Sequence, residues 1–380
     1  MFKNSKLWLR SMFCAFQMFS AIALLGATNS ADAQEVLTGV YAGNDGGTYY
    51  VRHVPERGEV FWFGERADRG WANVYRGTVS TTGFGDRIVF GNWLDVPKGG
   101  IMSGGPLNLQ FRGSEIALLG APSEFGSSRW NRIGYQPQRA PHDLMHAPTG
   151  PGATGIYFGS DRGIYYVRQN GNDLSWFGEV CSTIRGASPV SGNAYFGTLA
   201  GSTATGPWID TPYGTARNQS TLQVQVEPTR LRGVGTFAGR EWRRSTVGPG
   251  TMISAVELSI QTGGDDLRGG SVDHVSFQVR GRGLLPEVNL NNGANWPNNS
   301  LNRVVVRFAE PVAIRDLLSL SLRHDGAPRN GEIGYDNWNA DSITLAFFVA
   351  GSACPLQIGA VLTPGRMTGS RTVFTVPINP

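Results

Sequence analysis

Charged residues, and lysine above all, are scarce in this chain. Only 16% of its 380 residues are charged, and lysine occurs only at Lys3, Lys6 and Lys98. The formal charge of +4 at pH 7 therefore comes almost wholly from arginine, which is scattered singly along strand-like segments. A nucleic-acid interface needs a basic stripe interleaved with exposed aromatic residues. We accordingly predict no nucleic-acid partner.

Cysteine is also rare. Cys14 lies in the N-terminal leader described below, which leaves Cys181 and Cys354 in the remainder of the chain. Two cysteines exclude a disulfide framework. They can form one bond in an oxidising compartment, and it would tie the second of two repeated modules to the C-terminal domain.

Signatures of catalysis are missing as well. The chain has no G-x-S-x-G elbow, no H-E-x-x-H, no glycine-rich phosphate loop before a helix and no cysteine pair at metal spacing. His142 and His146 stand four residues apart beside Asp143, but in a proline-rich segment where no helix would place them on one face. We interpret them as a chance pair and predict that no cofactor is required.

The N-terminus has the pattern of a signal peptide. Lys3, Lys6 and Arg10 precede an apolar stretch, and Ala31 with Ala33 forms the A-x-A box that precedes cleavage. The purely apolar core is far shorter than the ~20 residues that a membrane span needs. We therefore predict a leader over residues 1–33, a secreted or periplasmic mature protein, and no transmembrane segment in it.

A sequence unit occurs twice. The segment GVYAGNDGGTYYVR at 39–52 returns as GIYFGSDRGIYYVR at 155–168, with nine of fourteen positions identical. FWFGE and WLDVP of the first copy then match SWFGE and WIDTP of the second, in the same order. We predict two related modules, at 35–135 and 154–247, joined by a linker over 136–153.

Each copy predicts a small antiparallel barrel. Short stretches rich in Tyr, Val, Phe and Trp alternate with Gly, Asn and Asp clusters at roughly ten-residue spacing, as in successive hairpins. With about six strands and no helix to cover a face, closure hides the sheet edges. The G-x-Y start, the YYVR strand and the W-F-G-E strand loosely resemble barrels of the avidin and lipocalin kind, although no specific ligand residue carries over.

The charged and tyrosine positions that repeat are the candidate ligand contacts. Small barrels hold one ligand at an open end, and aromatic residues on β surfaces grip ring-bearing ligands. An internal ion pair across the barrel mouth is the alternative role for the charges, and core packing is the alternative for the rings. The predicted ligand-binding residues are Tyr50, Arg52, Glu65, Asp95, Tyr166, Arg168, Glu179 and Asp210.

The region 250–380 predicts a separate β-sandwich, because six or more strands alternate cleanly without the repeated unit. Over roughly 252–349 it resembles the PLAT (lipoxygenase homology) family, most clearly at Thr262-Gly263, where an opening strand ends, and at Asn337-Trp338-Asn339, before a late strand. The resemblance implies a sandwich that attaches a partner, a membrane surface or a catalytic neighbour. It also implies calcium binding in some members.

Calcium prefers six to eight oxygen ligands, and aspartates cluster in two predicted loops of this region. Asp265 and Asp266 lie in a glycine-rich loop, while Asp336 and Asp341 flank Trp338. If both loops lie at one end of the sandwich, these four carboxylates form a calcium site. The alternative is that aspartate is simply an ordinary turn residue.

The overall fold class predicted is all-β, with two tandem barrel-like repeats followed by a β-sandwich. The missing catalytic motifs favour a secreted binding protein that holds an extracellular glycan, or a lipid or other surface component. One alternative is a polysaccharide hydrolase or lyase using Glu65 with Asp95, or Glu179 with Asp210, as paired carboxylates. A structural envelope or matrix protein is the other.

Overall fold

The computed structural model describes residues 37–66, 70–82, 86–120, 124–134, 150–181, 189–235, 237–245, 247–326 and 335–378. The predicted leader, most of the predicted linker, and His142 and His146 lie outside these ranges. Regular structure in the described part is β, apart from one-turn 3-10 helices at Pro55–Arg57 and Ile314–Asp316. The prediction of an all-β chain is confirmed, and the described residues contain no helix long and apolar enough to cross a membrane.

The first repeat is a closed barrel of eight antiparallel strands. Each strand pairs with the next, and the last pairs with the first through Val40 and Ile133, so that no edge stays open. The strands are β1 (Gly39–Gly43), β2 (Thr48–Val54), β3 (Glu59–Arg66), β4 (Trp71–Thr81), β5 (Arg87–Asp95), β6 (Gly104–Arg112), β7 (Glu115–Leu118) and β8 (Arg129–Ile133). We call this unit barrel 1.

The second repeat, barrel 2, closes in the same way. Its strands are β9 (Gly155–Gly159), β10 (Ile164–Asn170), β11 (Asp173–Cys181), β12 (Pro189–Ala200), β13 (Thr203–Asp210), β14 (Gln219–Val226), β15 (Arg230–Val234) and β16 (Glu241–Ser245). The expectation of about six strands per copy was too low, because short strands such as β7 and β15 carry too few residues to show a clear alternation.

The barrels are packed cores rather than open tubes. Alternate side chains of each strand point inward, and Tyr49, Trp62 and Tyr75 are fully buried inside barrel 1. The indole N–H of Trp62 donates to Asn73 Oδ1 at 2.9 Å, and Trp176 makes the equivalent bond to Asn193 at 2.9 Å in barrel 2. The duplication therefore extends from the sequence to individual interior hydrogen bonds.

A repeated glycine marks a close approach between neighbouring strands. A Cβ atom at Gly91 would lie 2.3 Å from the carbonyl oxygen of Arg76. At the equivalent Gly206, a Cβ would lie 1.8 Å from the carbonyl oxygen of Phe196. Only glycine fits these positions without a shift of the backbone.

The C-terminal region forms two five-stranded sheets. One has the order β21 (Leu301–Ala313), β17 (Met252–Thr262), β23 (Trp338–Val349), β24 (Leu356–Leu362), with β25 (Gly365–Met367) also on β23. The other has the order β19 (Gly283–Leu284), β18 (Asp273–Val279), β22 (Leu317–His324), β26 (Val373–Pro377), with β20 (Val288–Asn289) on β18. Apolar residues of both sheets, such as Leu258 and Phe277, share one buried core. The predicted sandwich is confirmed.

A disulfide fastens the sandwich to barrel 2. Cys181 at the end of β11 is bonded to Cys354, 173 residues away and just beyond β23. Beside it, the backbone N–H of Ala353 donates to the carbonyl oxygen of Arg162 at 3.2 Å. The sandwich loop after β23 therefore lies against the turn between the first two strands of barrel 2.

We expect the Cys181→Ser/Cys354→Ser variant to be less stable than the wild type by about 2 to 5 kcal/mol, the usual effect of removing a native disulfide. Thermal melting with and without reductant measures the loss. Reductant should lower the melting temperature of the wild type and leave that of the variant unchanged. An oxidised wild type that melts like the variant would contradict the assignment.

Candidate functional site

The two barrels meet through a column of four aromatic rings. Phe63 and Phe177, which occupy equivalent positions in the two repeats, stack with their centroids 3.5 Å apart and their planes 4° apart. Tyr50 stacks on Phe63 at 6.0 Å, and Tyr166 stacks on Phe177 at 6.4 Å. Contact between equivalent residues is the mark of a two-fold interface. The barrels therefore pack within one chain as two subunits of a symmetric dimer do.

Lys98 and Tyr213 flank this column from opposite repeats, again at equivalent positions. The ring of Tyr213 lies edge-on to Phe63 at 5.4 Å and to Phe177 at 5.1 Å. Lys98 places its ammonium 5.0 Å from the centroid of Phe63 and 5.2 Å from that of Phe177. The interface is therefore asymmetric at this pair of equivalent positions, which holds a cation in barrel 1 and a phenol in barrel 2.

Two buried glutamates complete the interface. Lys98 Nζ lies 2.7 Å from Glu65 Oε2 and 3.7 Å from Glu179 Oε2. Glu179 also accepts hydrogen bonds from the hydroxyls of Tyr166 at 2.7 Å and Tyr213 at 2.9 Å. Lys98 and both carboxylates are at most 2% exposed. One lysine and two tyrosines therefore compensate two charges that burial would otherwise make costly.

Most of the predicted ligand-binding residues lie at this interface. Tyr50, Glu65, Tyr166 and Glu179 belong to the column and the charge network described above. Arg168 of barrel 2 donates to three backbone carbonyl oxygens of barrel 1. They belong to Asp95 at the end of β5, at 3.0 Å, and to Met102 and Ser103 in the loop after it, at 3.1 Å and 2.6 Å.

Arg52 and Asp210 are the equivalents of Arg168 and Asp95 with the two barrels exchanged. Arg52 of barrel 1 lies close enough to Asp210 of barrel 2 for its charge to lower the pKa of that carboxyl, although burial raises the pKa more. Asp210 Oδ2 accepts hydrogen bonds from Asn218, from the backbone N at 2.8 Å and from Nδ2 at 3.1 Å. Of the eight predicted residues, Asp95 alone lines the cavity described next.

The mouth of barrel 1 contains a cavity of about 610 Å³. Its apolar wall consists mainly of aromatic rings, and polar groups of both charges are interspersed with them. The aromatic members are Tyr49, Trp71, Trp93 and Phe125, and the polar members are Asn44, Asp45, Arg66, Asn73, Asp95, Ser103 and Glu124. Both the size and the composition are those of a small-ligand site.

Asp95 is the most strongly perturbed carboxyl in the cavity wall. It is 2% exposed, and its Oδ2 accepts a hydrogen bond from the backbone N of Ser103 at 2.8 Å. Burial raises its pKa to about 7, against the lowering effects of the Ser103 bond and the Arg168 charge. Within the described residues, Oδ1 has no hydrogen-bond partner. This atom is free to receive a ligand group.

Trp71 and Arg66 distinguish this mouth from the equivalent mouth of barrel 2. Trp71 lies over the turn between β1 and β2, where a Cβ at Gly47 would be 2.4 Å from the indole ring. The equivalent positions in barrel 2 are Ser191 and Val180. In barrel 2 the equivalent turn, between β9 and β10, contacts the sandwich loop through Arg162. The two mouths have therefore diverged, and the mouth of barrel 1 has the larger set of ligand-type groups.

The predicted calcium ligands are engaged with protein groups. Asp265 Oδ2 lies 2.8 Å from Arg366 Nη2, and Asp341 Oδ1 accepts a hydrogen bond from Asn339 Nδ2 at 2.7 Å. Asp336 is buried and accepts a bond from Ser271 Oγ at 2.7 Å.

These aspartates, with Asp266, do not form a group of three carboxylates at metal-binding distances in the described part of the chain. The cluster of possible metal ligands found there consists of Glu179, Cys181 and Cys354, whose cysteines are joined in the disulfide. The calcium site stays a prediction that this geometry does not favour.

Sequence reasoning missed Lys98, Trp71 and Arg66 because it selected residues that repeat. A usable signal for Lys98 was present, since it is the single lysine after the predicted leader. A lysine retained alone in an arginine-rich chain indicates a place where a compact ammonium fits and a guanidinium does not.

Comparisons with known proteins do not identify the chain. No family model matches it, and no curated protein sequence matches it. Among solved structures it aligns with a DNA polymerase III subunit beta sliding clamp from Bartonella birtlesii LL-WM9. The identity is 11%, the alignment covers 87% of this chain and 93% of that one, and the TM-score is 0.11. A similarity this low carries no argument.

We expect Lys98→Met to destabilise the protein by about 3 to 5 kcal/mol, because it removes the buried ammonium that lies 2.7 Å from Glu65 and 3.7 Å from Glu179. Glu65→Gln introduced into this variant should restore part of the loss. Denaturant unfolding measures both effects. Arg129→Met is the matched control, since the side chains of the Arg129–Glu115 pair are 64% and 39% exposed and the pair is expected to contribute at most about 1 kcal/mol. Equal losses in the two single variants would contradict the role of Lys98.

The raised pKa of Asp95 predicts a pH dependence of stability. Its ordinary pKa is 3.8 and its folded value is about 7, so its contribution to stability is present below about pH 4 and is lost as the pH rises through 7. Asp95→Asn cannot ionise and should therefore lose less stability than the wild type between pH 4 and 8. Melting temperatures across this range test the difference. Parallel curves would refute it.

Proposed function

We propose that the protein is an exported binding protein that holds an extracellular glycan, or a lipid or surface component, in the mouth of barrel 1. The cavity of about 610 Å³ beside Asp95 is the observation that carries the proposal. It combines aromatic ring surfaces, which bind apolar or ring-bearing groups, with a few fixed polar atoms that give orientation. The leader predicted over residues 1–33 and the Cys181–Cys354 bond agree with an oxidising compartment.

Barrel 2 and the sandwich act in this proposal as support. Barrel 2 braces the cavity wall, since Arg168 holds the backbone of Met102 and Ser103 in the loop that lines it. The sandwich, for which we retain the PLAT-type resemblance as part of the proposal, lies against barrel 2 and is suited to attaching the protein to a surface or partner.

Binding is favoured over polysaccharide cleavage because of where the paired carboxylates lie. Glu65 points out of barrel 1 to Lys98, whereas Asp95 points into the barrel mouth, so the two do not flank a common cleft. Glu179 is bonded to Tyr166 and Tyr213 in the buried interface. A glycosidase needs both carboxyls at one bond, about 5 to 10 Å apart.

Binding of the full mature protein to a glycan array and to lipid vesicles tests the proposal. We expect saturable binding of one ligand per chain, and at least a tenfold loss of affinity in Trp71→Ala, because its indole forms part of the cavity wall. Ser191→Ala, the matched position in barrel 2, should bind like the wild type. Absence of binding to every array member and vesicle, or an equal loss in the two variants, would overturn the assignment to barrel 1.

A further inference from the structure

The charges around the cavity are unbalanced. Among the described residues, its lining contains three carboxyl groups, of Asp45, Asp95 and Glu124, against the one guanidinium of Arg66. Asp45 is fixed in the β1–β2 turn by hydrogen bonds from the hydroxyl of Tyr49 at 2.6 Å and from the backbone N of Gly47 at 3.0 Å. A cleft whose walls carry one excess sign concentrates ions of the opposite sign. The mouth of barrel 1 therefore favours a cation.

The rings of the cavity are arranged as neighbouring walls rather than as one flat platform. Trp93 and Phe125 meet at 82° with their centroids 4.8 Å apart, and Tyr49 lies 5.8 Å from Trp71 at 39°. The two rings of each pair touch one another, so a ligand would contact the ring surfaces that line the cavity. Ring faces are electron-rich and attract ammonium groups, with Trp the strongest partner.

One buried polar atom in this wall has no hydrogen-bond partner within the described residues. It is the indole Nε1 of Trp93, a residue that is 5% exposed. A buried polar atom without a hydrogen bond costs about 1 to 3 kcal/mol. A ligand oxygen that accepts from this indole would remove the cost, and a cationic group on the same ligand could pair with the neighbouring carboxyl group of Asp95, which also lines the cavity.

We infer that the mouth of barrel 1 recognises the ammonium group of its ligand, held against Asp95 among the rings of Trp71, Trp93 and Phe125. This inference rests on the proposed function and names the chemistry of the ligand. Two extracellular sources carry such a group together with oxygen acceptors. One is an amino sugar of a glycan, whose N–H groups can donate to the carboxylate. The other is the choline headgroup of a lipid, whose quaternary ammonium has no N–H and would pair with the carboxylate by charge and with the rings by cation–π contact.

Calorimetric titration with matched pairs distinguishes these sources and tests the inference. Glucosamine is compared with N-acetylglucosamine, which has the same ring without the charge. Choline is compared with its neutral isostere 3,3-dimethyl-1-butanol, and phosphatidylcholine vesicles extend that arm to a membrane. We expect the cationic member of at least one pair to bind at least tenfold more tightly than its neutral partner.

Two variants test whether the preference for the cationic ligand arises at Asp95. Asp95→Asn should lower the affinity for the cationic member by about tenfold, to that of its neutral partner, and so remove the preference. Asp210→Asn, the same change in barrel 2, should keep the preference. Preference that survives Asp95→Asn, or disappears equally in both variants, would overturn the inference.

The pH dependence of choline binding gives an independent readout, since the charge of choline is permanent. Affinity should rise from pH 6 to 8 in the wild type, because burial raises the pKa of Asp95 to about 7, and should stay flat in Asp95→Asn. Comparing the wild type with Asp95→Asn separates the effect of Asp95 ionisation on affinity from that of the other charged and titratable groups around it. Those groups are Asp45, Tyr49, Arg66 and Glu124 of barrel 1 and Arg168 of barrel 2.

The possible failures are distinguishable. Equal affinity for the charged and neutral members, lost in Trp71→Ala, would refute ammonium recognition and leave the binding function in place. No binding of any probe, together with no signal on the glycan array or vesicles, would refute both.

Discussion

The stacking of Phe63 on Phe177 is the contact on which the arrangement of this molecule depends. Each ring belongs to a different barrel, so their overlap at 3.5 Å fixes the distance and angle between the two units. The same apolar cluster includes Ala255 and Phe348 of the sandwich, so that one core joins all three parts of the chain. Aromatic stacking without charged groups would bury this surface at a lower desolvation cost. The contacts of Lys98 with Glu65 at 2.7 Å and Glu179 at 3.7 Å restrict the alignment further, because displacing one of these buried charges weakens the compensation of the others.

That alignment extends to the cavity. Arg168 leaves the interface and holds the carbonyl groups of Asp95, Met102 and Ser103, while the N–H of Ser103 binds the Asp95 side chain. The loop that forms one wall of the barrel-1 mouth is thus fixed from the neighbouring barrel. A site supported by groups outside its own module stays in shape without a ligand, which reduces the ordering cost of binding.

The fold followed from the sequence more fully than the site did. The two copies of the YYVR unit and the strand alternation were sufficient to predict two closed barrels, since the side-chain period of a strand places Tyr49 inside and Tyr50 outside. Repetition could not show that the outer face of this strand meets its own copy, because a buried interface and a ligand surface both retain aromatic and charged residues. The cavity was harder still, since Trp71 and Arg66 occur in one copy only.

The attachment of the sandwich loop to barrel 2 through Cys181–Cys354 alters what the duplication is able to achieve. Two equal barrels would give a bivalent molecule, with gains in avidity on a repetitive target. Because Arg162 and its turn contact that loop, the proposed function gives the copies different tasks, with barrel 1 as the receptor half and barrel 2 as the anchoring half. On this proposal a single chain would coat its target without cross-linking it, and bridging between targets would require a second molecule.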